Sequence, residues 1–176
     1  MGTMKNWPKI SEKIVYKGYR EVLRRTFILP NNQRADYDVI HSQGGVGILA
    51  VTPDYEIVCF TQFRPGPEKI LFELPGGGID TGEDIHTAIK RELSEETGYG
   101  AEIHYIGSYY KDAYISGRWH MFVGKDAQPL YEQRRDLLEF GEVSLLSIDK
   151  FKDVLFNGQL TDTTLGYAGL RYLGLL

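Results

Sequence analysis

A glycine triplet followed by an acidic helical segment is the feature that most restricts how this chain can fold. Glycines 76–78 precede residues 82–97, where apolar side chains recur at helical spacing. Thr81 and Asp84 have the spacing of an acidic capping box, and Gly98 stands where a C-terminal cap belongs. The sequence therefore predicts a loop whose backbone passes close to a ligand, followed directly by a helix.

The predicted helix carries acids on the same face as its apolar residues. In a helical projection at about 100° per residue, one arc holds the apolar side chains Ile85, Ala88, Ile89 and Leu93. Glu92 and Glu96 fall within this arc, and Glu95 lies at its edge. Since a buried charge needs a partner, these acids require an explanation.

Two interpretations of the acids are open from the residues alone. Glu-rich helices are usually solvated surface helices with salt bridges. However, Glu92 and Glu96 are a like-charge pair at i,i+4, and at about 5.5 Å and an effective dielectric of about 20 they repel by about 3 kcal/mol. A divalent cation would reverse that sign, while Arg91 can reach Glu95 at i+4. Oxygen ligands without a His or Cys cluster favour Mg²⁺, with Mn²⁺ as the alternative.

Composition excludes several classes of protein. The chain has 176 residues, 42% of them hydrophobic, and a net charge of −4 without a Lys/Arg-dense run. These values indicate a globular chain that binds a small anionic ligand rather than nucleic acid. Because we find neither a membrane-length apolar run nor a signal or transit pattern, we expect a cytoplasmic protein with no membrane partner. Cys59 lies in the alternating run EIVCFTQF, which favours a buried small hydrophobe over a nucleophile.

Strand patterns surround the predicted helix. Residues 10–41 hold short β-branched and aromatic runs separated by turn residues, which predicts an antiparallel strand module over residues 1–43. The runs GGVGILAV, EIVCFTQFR and EKILFELPGGG predict three further strands before the helix. Strands and two helical segments follow it, so residues 44–176 are expected to form a second domain with helices against a mixed sheet.

The glycine loop and the acidic helix together resemble the Nudix box. That pattern is glycine, five residues, glutamate, seven residues, and then Arg-Glu-apolar-any-Glu-Glu-any-Gly-apolar. The matching positions are Gly77, Glu83, Arg91, Glu92, Leu93, Glu95, Glu96 and Gly98. The one departure is Tyr99, at a packing position where the family prefers an aliphatic residue. The resemblance implies an α/β/α sandwich around a mixed sheet and Mg²⁺-dependent hydrolysis of a nucleoside diphosphate linked to another group.

The resemblance also implies roles for the box residues. Carried over by position, Glu92 and Glu96 are metal ligands, and Glu95 is a ligand or its close neighbour that serves catalysis. Arg91 is implied as the catalytic partner that orients them. Glu83 is implied as a residue that holds the loop at the helix end.

Features outside the box resemble the ADP-ribose pyrophosphatase and sugar-nucleotide branch of the family. They are the N-terminal strand module, the runs TQFRPG and FELPGGGID, and the ending FNGQLTDTTLGYAGLRYL. The branch nominates Arg64 and Glu73 as substrate-binding residues, the alternatives being a solvated strand-end cation and an edge-strand acid. Gly77 is expected to contact the substrate, and the carbonyl of Gly76 is similar in place to a metal ligand of the ADP-ribose hydrolases.

One segment departs from the branch. Its usual Ser-Pro-Gly element and acidic run are replaced here by SYYKDAYISGRWHMF. Tyr109, Tyr110 and Tyr114 are candidates to stack on a base or sugar, with core or rim packing as the alternative. Because the N-terminal module of this branch commonly exchanges strands, the resemblance implies a homodimer. The interface candidates are Trp7, Tyr16 and Tyr19.

The general base is not specified by the box. Helix acids bound to Mg²⁺ have their basicity spent on the metal, so the attacking water needs a further carboxylate. The branch supplies it from a loop, here YEQRRDLLEFGE. Glu132 and Asp136 lie beside arginines, where a solvated salt bridge is expected. We predict Glu139 as the base and Glu142 as a second-metal ligand or its support; the reverse assignment, or two acids on a solvated loop, are the alternatives.

The resulting prediction is an Mg²⁺-dependent hydrolase of the pyrophosphate bond of ADP-ribose or a related nucleoside diphosphate sugar. Its products would be a nucleoside monophosphate and a sugar phosphate. One alternative is a non-catalytic module that senses nucleotide sugars, but such proteins typically lose acids of the box. Another is a nucleoside triphosphate pyrophosphohydrolase, which would leave the N-terminal strands unexplained.

Overall fold

The computed structural model describes residues 5–134 and 140–176, and the chain divides into two compact units. The first unit runs to Gly44 and includes Tyr110–Arg118, while the second comprises Gly45–Tyr109 and Trp119–Leu176. The division after Gly44 lies one residue from the boundary expected at residue 43. Segment 110–118, which the sequence patterns assign to the second domain, belongs to the first unit.

The first unit is built on a three-stranded antiparallel sheet. Its strands in spatial order are β1 (Lys9–Lys17), β2 (Glu21–Ile28) and β3 (Arg34–His41). The predicted meander is therefore confirmed. Segment 110–118 joins the unit beside β3, where Ile40 and Ile115 form a parallel bridge and the Ile40 N–H donates to the Tyr114 carbonyl at 2.9 Å.

The second unit contains a seven-stranded mixed sheet. Its strands are β4 (Gly45–Val51), β5 (Glu56–Arg64), β6 (Lys69–Glu73), β7 (Gly76–Gly78), β8 (Tyr99–Tyr109), β9 (Trp119–Pro129) and β10 (Gly141–Ser147). The main order is β10-β5-β4-β9-β8, with β6 paired to β5 and β7 paired to β4. The β4–β9 pair is parallel and the other pairs are antiparallel.

Helices cover both faces of this sheet. Helix α1 (Ile85–Thr97) packs on one face, and α2 (Ile148–Phe156) and α3 (Thr163–Tyr172) pack on the other. Alternation along β4 supplies both layers, because Ile48 packs with Ile89 of α1 whereas Leu49 packs with Phe151 and Leu170. This arrangement confirms the expected α/β/α sandwich.

Helix α1 begins later than the sequence predicts. Asp84 is its N-cap, since the carboxylate accepts the N–H groups of His86 at 2.9 Å and Thr87 at 3.1 Å. The predicted start at residue 82, with Thr81 in a capping box, is wrong. Glu83 consequently lies in the loop before the helix. At the other end Gly98 caps the helix as predicted, with a left-handed φ of 75°.

Cys59 lies on β5 inside the core beside α2 and α3. Cys59 is completely buried, and this burial is the main cause that raises the pKa of its thiol above the ordinary value. The prediction of a small buried hydrophobe is confirmed. Among the described residues, the helices are too short or too polar to cross a membrane.

Candidate active site

Strand β7 lies against the acidic side of α1. The Gly76 N–H donates to Glu96 Oε2 at 2.8 Å, and a Cβ built on Gly77 would stand 2.6 Å from Glu92 Cδ. A side chain at position 77 would therefore force the Glu92 carboxylate to move. Glu96 is 8% exposed, and the Glu92 side chain is 13% exposed. The structure thus brings together the glycine strand and the helix acids that the sequence nominates.

Arg91 connects three carboxylates and one carbonyl. Its Nε and Nη2 donate to the two oxygens of Glu83, both at 3.0 Å. Its Nη1 donates to Glu92 Oε1 at 2.9 Å and to Glu95 Oε2 at 3.3 Å, and Nη2 also donates to the Gly78 carbonyl at 3.0 Å. The planar guanidinium suits this task because its fork of donors matches a carboxylate edge on one side and leaves Nη1 for other acids.

The charges of this network stabilise one another. Hydrogen bonding to Glu83 is the largest cause that raises the pKa of Arg91, and the Glu92 charge adds to it against the opposing effect of burial. The Arg91 bonds in turn hold the pKa of Glu83 below its usual value, helped by the Asp80 N–H at 3.1 Å. Glu83 therefore holds both the loop before α1 and the guanidinium.

Arg64 and Glu73 form a second ion pair where β5 and β6 meet. The Arg64 Nε and Nη2 donate to the two oxygens of Glu73, and Gln62 Nε2 donates to Glu73 Oε2 at 2.9 Å. The Glu73 side chain is 7% exposed and that of Arg64 is 45% exposed. Neither a solvated cation nor an isolated edge acid describes these residues, because each is the partner of the other.

The Arg64–Glu73 pair lies within electrostatic range of the acids of α1. Bonding to Glu73 is the main cause that raises the pKa of Arg64, and the charges of Asp162 and Glu96 also raise it. Glu96 belongs to the helix acids and contacts Gly76, which follows Glu73 by three residues. The described structure therefore gathers the predicted substrate-binding pair and the predicted metal ligands into one region of the second unit.

Only some of the acids in the predicted catalytic loop lie within the described residues. Two of them, Asp136 and Glu139, lie outside the described residues. Glu142 pairs with Thr61, which pairs with Phe72 on the face covered by α2 and α3. Glu73 follows Phe72 along β6 and so projects from the opposite face. Glu142 and Glu73 therefore lie on different faces of the sheet. The roles assigned to Glu139 and Glu142 stay predictions.

The three tyrosines nominated for stacking divide between the units. Tyr109 ends β8 in the second unit, and burial is the main cause that raises its pKa to about 12. In the first unit Tyr114 stacks on Tyr37, with ring centroids 6.4 Å apart, and Arg118 lies over the Tyr110 ring at 5.1 Å. Packing contacts therefore exist for Tyr110 and Tyr114, which remain 63% and 54% exposed.

Sequence reasoning missed two residues of this region. Gln62 lies two positions before Arg64, so strand alternation places both on one face and could have indicated their shared partner Glu73. Asp162 accepts the Leu74 N–H at 3.3 Å although the two residues lie far apart in the chain. No local spacing rule signals that contact.

The helix acids suit a hard cation by their donor chemistry. In the described ranges no group of three His, Cys, Asp or Glu side chains stands ready as a set of metal ligands. The acids instead contact Arg91 and the Gly76 amide. Carboxylate oxygens beside the backbone of glycines 76–78, with no Cys or His among them, are nevertheless the donors that Mg²⁺ and Mn²⁺ prefer. The residues present therefore fit such an ion.

Comparisons with known proteins show the family of the chain. The model of the NUDIX domain matches residues 41–162. An ADP-ribose pyrophosphatase of Bacillus subtilis (strain 168) is 31% identical over 150 residues, which is 84% of this chain and 80% of that protein. An ADP-ribose pyrophosphatase of Saccharomyces cerevisiae is 41% identical over 105 residues, and a methanol dehydrogenase activator of Bacillus methanolicus is 39% identical over 74 residues. These matches cover 52% and 42% of this chain respectively, and 40% of each relative.

A solved structure described as an ADP compounds hydrolase has the same fold. It superimposes with a TM-score of 0.83 and covers 100% of both chains at 19% sequence identity. The similarity therefore extends over the α/β/α sandwich and the N-terminal strands.

Proposed function

The chain belongs to the Nudix hydrolase family, and we propose that it hydrolyses the pyrophosphate bond of ADP-ribose or a related nucleoside diphosphate sugar. The products are a nucleoside monophosphate and a sugar phosphate. The observation that carries this proposal is the packing of Glu92 and Glu96 against the glycine strand, where acids and backbone meet. The relative from Bacillus subtilis, an ADP-ribose pyrophosphatase matched over most of its length, supports the substrate class.

The helix acids hold Mg²⁺ in this proposal, with Mn²⁺ as a substitute. Glu92, Glu95, Glu96 and the carbonyl of Gly76 would hold the ion. When bound, the ion would supply charge that neutralises phosphate oxygens and would make water a better nucleophile. Arg91 keeps Glu92 and Glu95 oriented through its Nη1 group, while Glu83 keeps the guanidinium in place.

Arg64, Glu73 and Gly77 bind the substrate in this proposal. The Arg64 guanidinium is partly exposed and charged, so it can offer N–H donors to a phosphate while Glu73 fixes its orientation. Gln62 Nε2 also donates to Glu73, at the Oε2 oxygen that Arg64 Nη2 contacts. The absence of a side chain at Gly77 leaves its backbone accessible beside Glu92.

Water is the proposed nucleophile, because no Ser, Cys or His stands at a nucleophile position in the box. Glu139 removes its proton as the general base, and Glu142 acts as a ligand of a second metal ion or supports one. Both assignments follow the loop acids of the ADP-ribose branch.

A panel of nucleoside diphosphate sugars, dinucleotides and nucleoside triphosphates, incubated with Mg²⁺, tests the proposal. We expect fastest turnover of a nucleoside diphosphate sugar, with ¹⁸O from labelled water found on a product phosphate. Label in a sugar hydroxyl would indicate glycosidic hydrolysis instead. Preferred turnover of triphosphates, or tight binding without turnover, would contradict the proposed reaction.

We also propose that the protein is a cytoplasmic homodimer associated through its first unit. Every residue of β1 is exposed, and Trp7, Tyr16 and Tyr19 are 44%, 59% and 93% exposed. Exposed apolar surface of this kind favours an interface. Light scattering after size exclusion should give twice the mass of the 20.0 kDa chain, and a monomer at micromolar concentration would contradict the proposal.

A further inference from the structure

The four consecutive residues from the end of β6 to the start of β7 contact four separate parts of the second unit. We name residues 73–76 the linker segment. It carries the proposed substrate-binding Glu73 at one end and the proposed metal ligand Gly76 at the other. One contact with each part is Glu73 with Arg64 of β5, the Leu74 N–H with Asp162 Oδ2 at 3.3 Å, the Pro75 carbonyl with the Ile48 N–H at 2.9 Å, and the Gly76 N–H with Glu96 Oε2 at 2.8 Å.

Asp162 does not act as a helix cap through its side chain. It precedes α3, but its carboxylate makes no capping hydrogen bond. Its Oδ2 instead accepts from the Leu74 N–H and from Thr161 Oγ1 at 3.0 Å. The residues before it lie along β6, because the Phe72 N–H donates to the Gln159 carbonyl at 3.0 Å and the Thr161 N–H donates to the Phe72 carbonyl at 3.1 Å.

The Leu74 amide depends on this contact. Leu74 is 4% exposed, and a buried N–H without an acceptor is costly. A carboxylate is a stronger acceptor than a carbonyl, so Asp162 fixes the backbone beside Glu73 more firmly than a neutral residue would. The charge of Asp162 also acts on Arg64, the partner of Glu73.

We propose that Asp162 is a positioning residue that holds the linker segment so that Glu73 and Arg64 stand ready for the substrate. This inference rests on the proposed function of that pair. The effect is asymmetric along the segment. When Asp162 is lost, Glu73 keeps its bonds to Arg64 and Gln62, but its neighbour Leu74 loses an acceptor, whereas Gly76 lies two residues farther along and keeps its bond to Glu96. Substrate affinity therefore depends on Asp162 more strongly than turnover does.

Three variants of Asp162 test the inference, and Asp149→Ala serves as their control. Asp162→Ala removes the acceptor, and Asp162→Asn keeps a neutral one. Asp162→Ser keeps a helix-capping residue but is one atom shorter, so it replaces the alanine variant if that protein does not fold. Asp149 is an exposed acid in the first turn of α2. Amide hydrogen exchange at Leu74 is measured without substrate, and KM, kcat and thermal unfolding are measured beside it.

We expect Asp162→Ala, or Asp162→Ser, to lose protection of the Leu74 amide and to raise KM about tenfold, as for one hydrogen bond to a charged acceptor. We expect kcat to stay within about threefold. Asp162→Asn should recover KM to within about threefold of the unsubstituted protein, and Asp149→Ala should leave both constants unchanged.

Other outcomes overturn the inference. Unchanged exchange at Leu74 in the alanine or serine variant would show that Asp162 does not hold the segment. Lost protection of the Leu74 amide with an unchanged KM would show a structural role only. The same conclusion would follow if kcat fell by the same factor as KM rose and both changes paralleled a loss of thermal stability. If the unsubstituted protein hydrolyses nothing in the panel, the proposed function fails and takes with it the substrate role, while exchange at Leu74 still decides whether Asp162 anchors the segment.

Discussion

Replacing Gly77 by alanine tests whether the position of Glu92 controls turnover. The new Cβ would stand 2.6 Å from Glu92 Cδ, whereas ordinary van der Waals contact begins at 3.4 Å. Because Glu92 Oε1 is nearer still, at 2.4 Å, the carboxylate must withdraw by about 1.0 Å, which also disturbs the 2.9 Å bond of that oxygen to Arg91. Since a misplacement of about 1 Å can cost about 10²-fold in rate, we expect kcat/KM to fall about 10- to 100-fold.

Gly78→Ala is the matched control for this substitution. A Cβ on Gly78 would meet nothing within 4 Å, and its carbonyl can still accept from Arg91. Neither Gly77 nor Gly78 has a positive φ, so alanine can adopt the backbone of both. We expect Gly78→Ala to keep kcat/KM within about twofold of the unsubstituted enzyme, since it introduces no clash.

The assay is steady-state hydrolysis over a series of Mg²⁺ concentrations, combined with thermal unfolding. We expect Gly77→Ala to require more Mg²⁺ for half-maximal activity and to lose no more than about 1 kcal/mol of stability, because only the end of the Glu92 side chain has to move. Equal activity of the two alanine variants at limiting Mg²⁺ would refute the reasoning, because Glu92 would then have moved without consequence.

Three further predictions concern the acids of the site. Glu92→Gln and Glu96→Gln should each abolish turnover and weaken Mg²⁺ binding in calorimetry. Near-normal turnover at limiting Mg²⁺ would exclude that residue as a ligand. Arg91 lowers the pKa of Glu83, so the ionised Glu83 carboxylate stabilises the folded protein. This stabilisation should be complete above the ordinary pKa of 4.5 and should vanish as the pH falls through the lower pKa of the folded protein. The difference in melting temperature between Glu83→Gln and the unsubstituted protein should therefore shrink below about pH 4.5, and a constant difference down to pH 2 would contradict this assignment. Glu139→Gln should lower kcat about 10²- to 10⁴-fold with little change in affinity, and full activity in both Glu139→Gln and Glu142→Gln would place the base elsewhere.

Helical periodicity was sufficient to predict the acidic face of α1 but not the true start of the helix. Thr81 and Asp84 are both capping residues by type, and only the backbone decides which one accepts the first N–H groups. The difference matters for the site, because Glu83 lies in the loop and reaches Arg91 eight residues later. Pairing rules for helices consider neighbours three and four residues apart, so they found Glu95 as a partner of Arg91 and missed Glu83.

Contacts between strands were beyond single-sequence reasoning for a related physical reason. Arg64 and Glu73 were nominated one at a time, and their pairing depends on the register of the β5–β6 hairpin, in which Arg64 stands opposite Lys69. Asp162 reaches Leu74 only because the chain returns beside β6 after crossing the sheet. Such register and return paths follow from packing of the whole unit rather than from local propensity.

The way Arg91 distributes its donors suggests how the site can exchange partners without losing its shape. Glu83 occupies two donors with both of its oxygens, whereas Glu92 and Glu95 each take a single bond from Nη1. A cation that binds Glu92 and Glu95 competes with one nitrogen of Arg91 and leaves the bidentate contact with Glu83 intact. We therefore expect Arg91→Lys to impair activity more than a loss of charge would explain, because an ammonium has the charge but not the fork that anchors to Glu83 and still reaches the helix acids. Activity close to that of the unsubstituted enzyme in Arg91→Lys would show that charge alone organises the site.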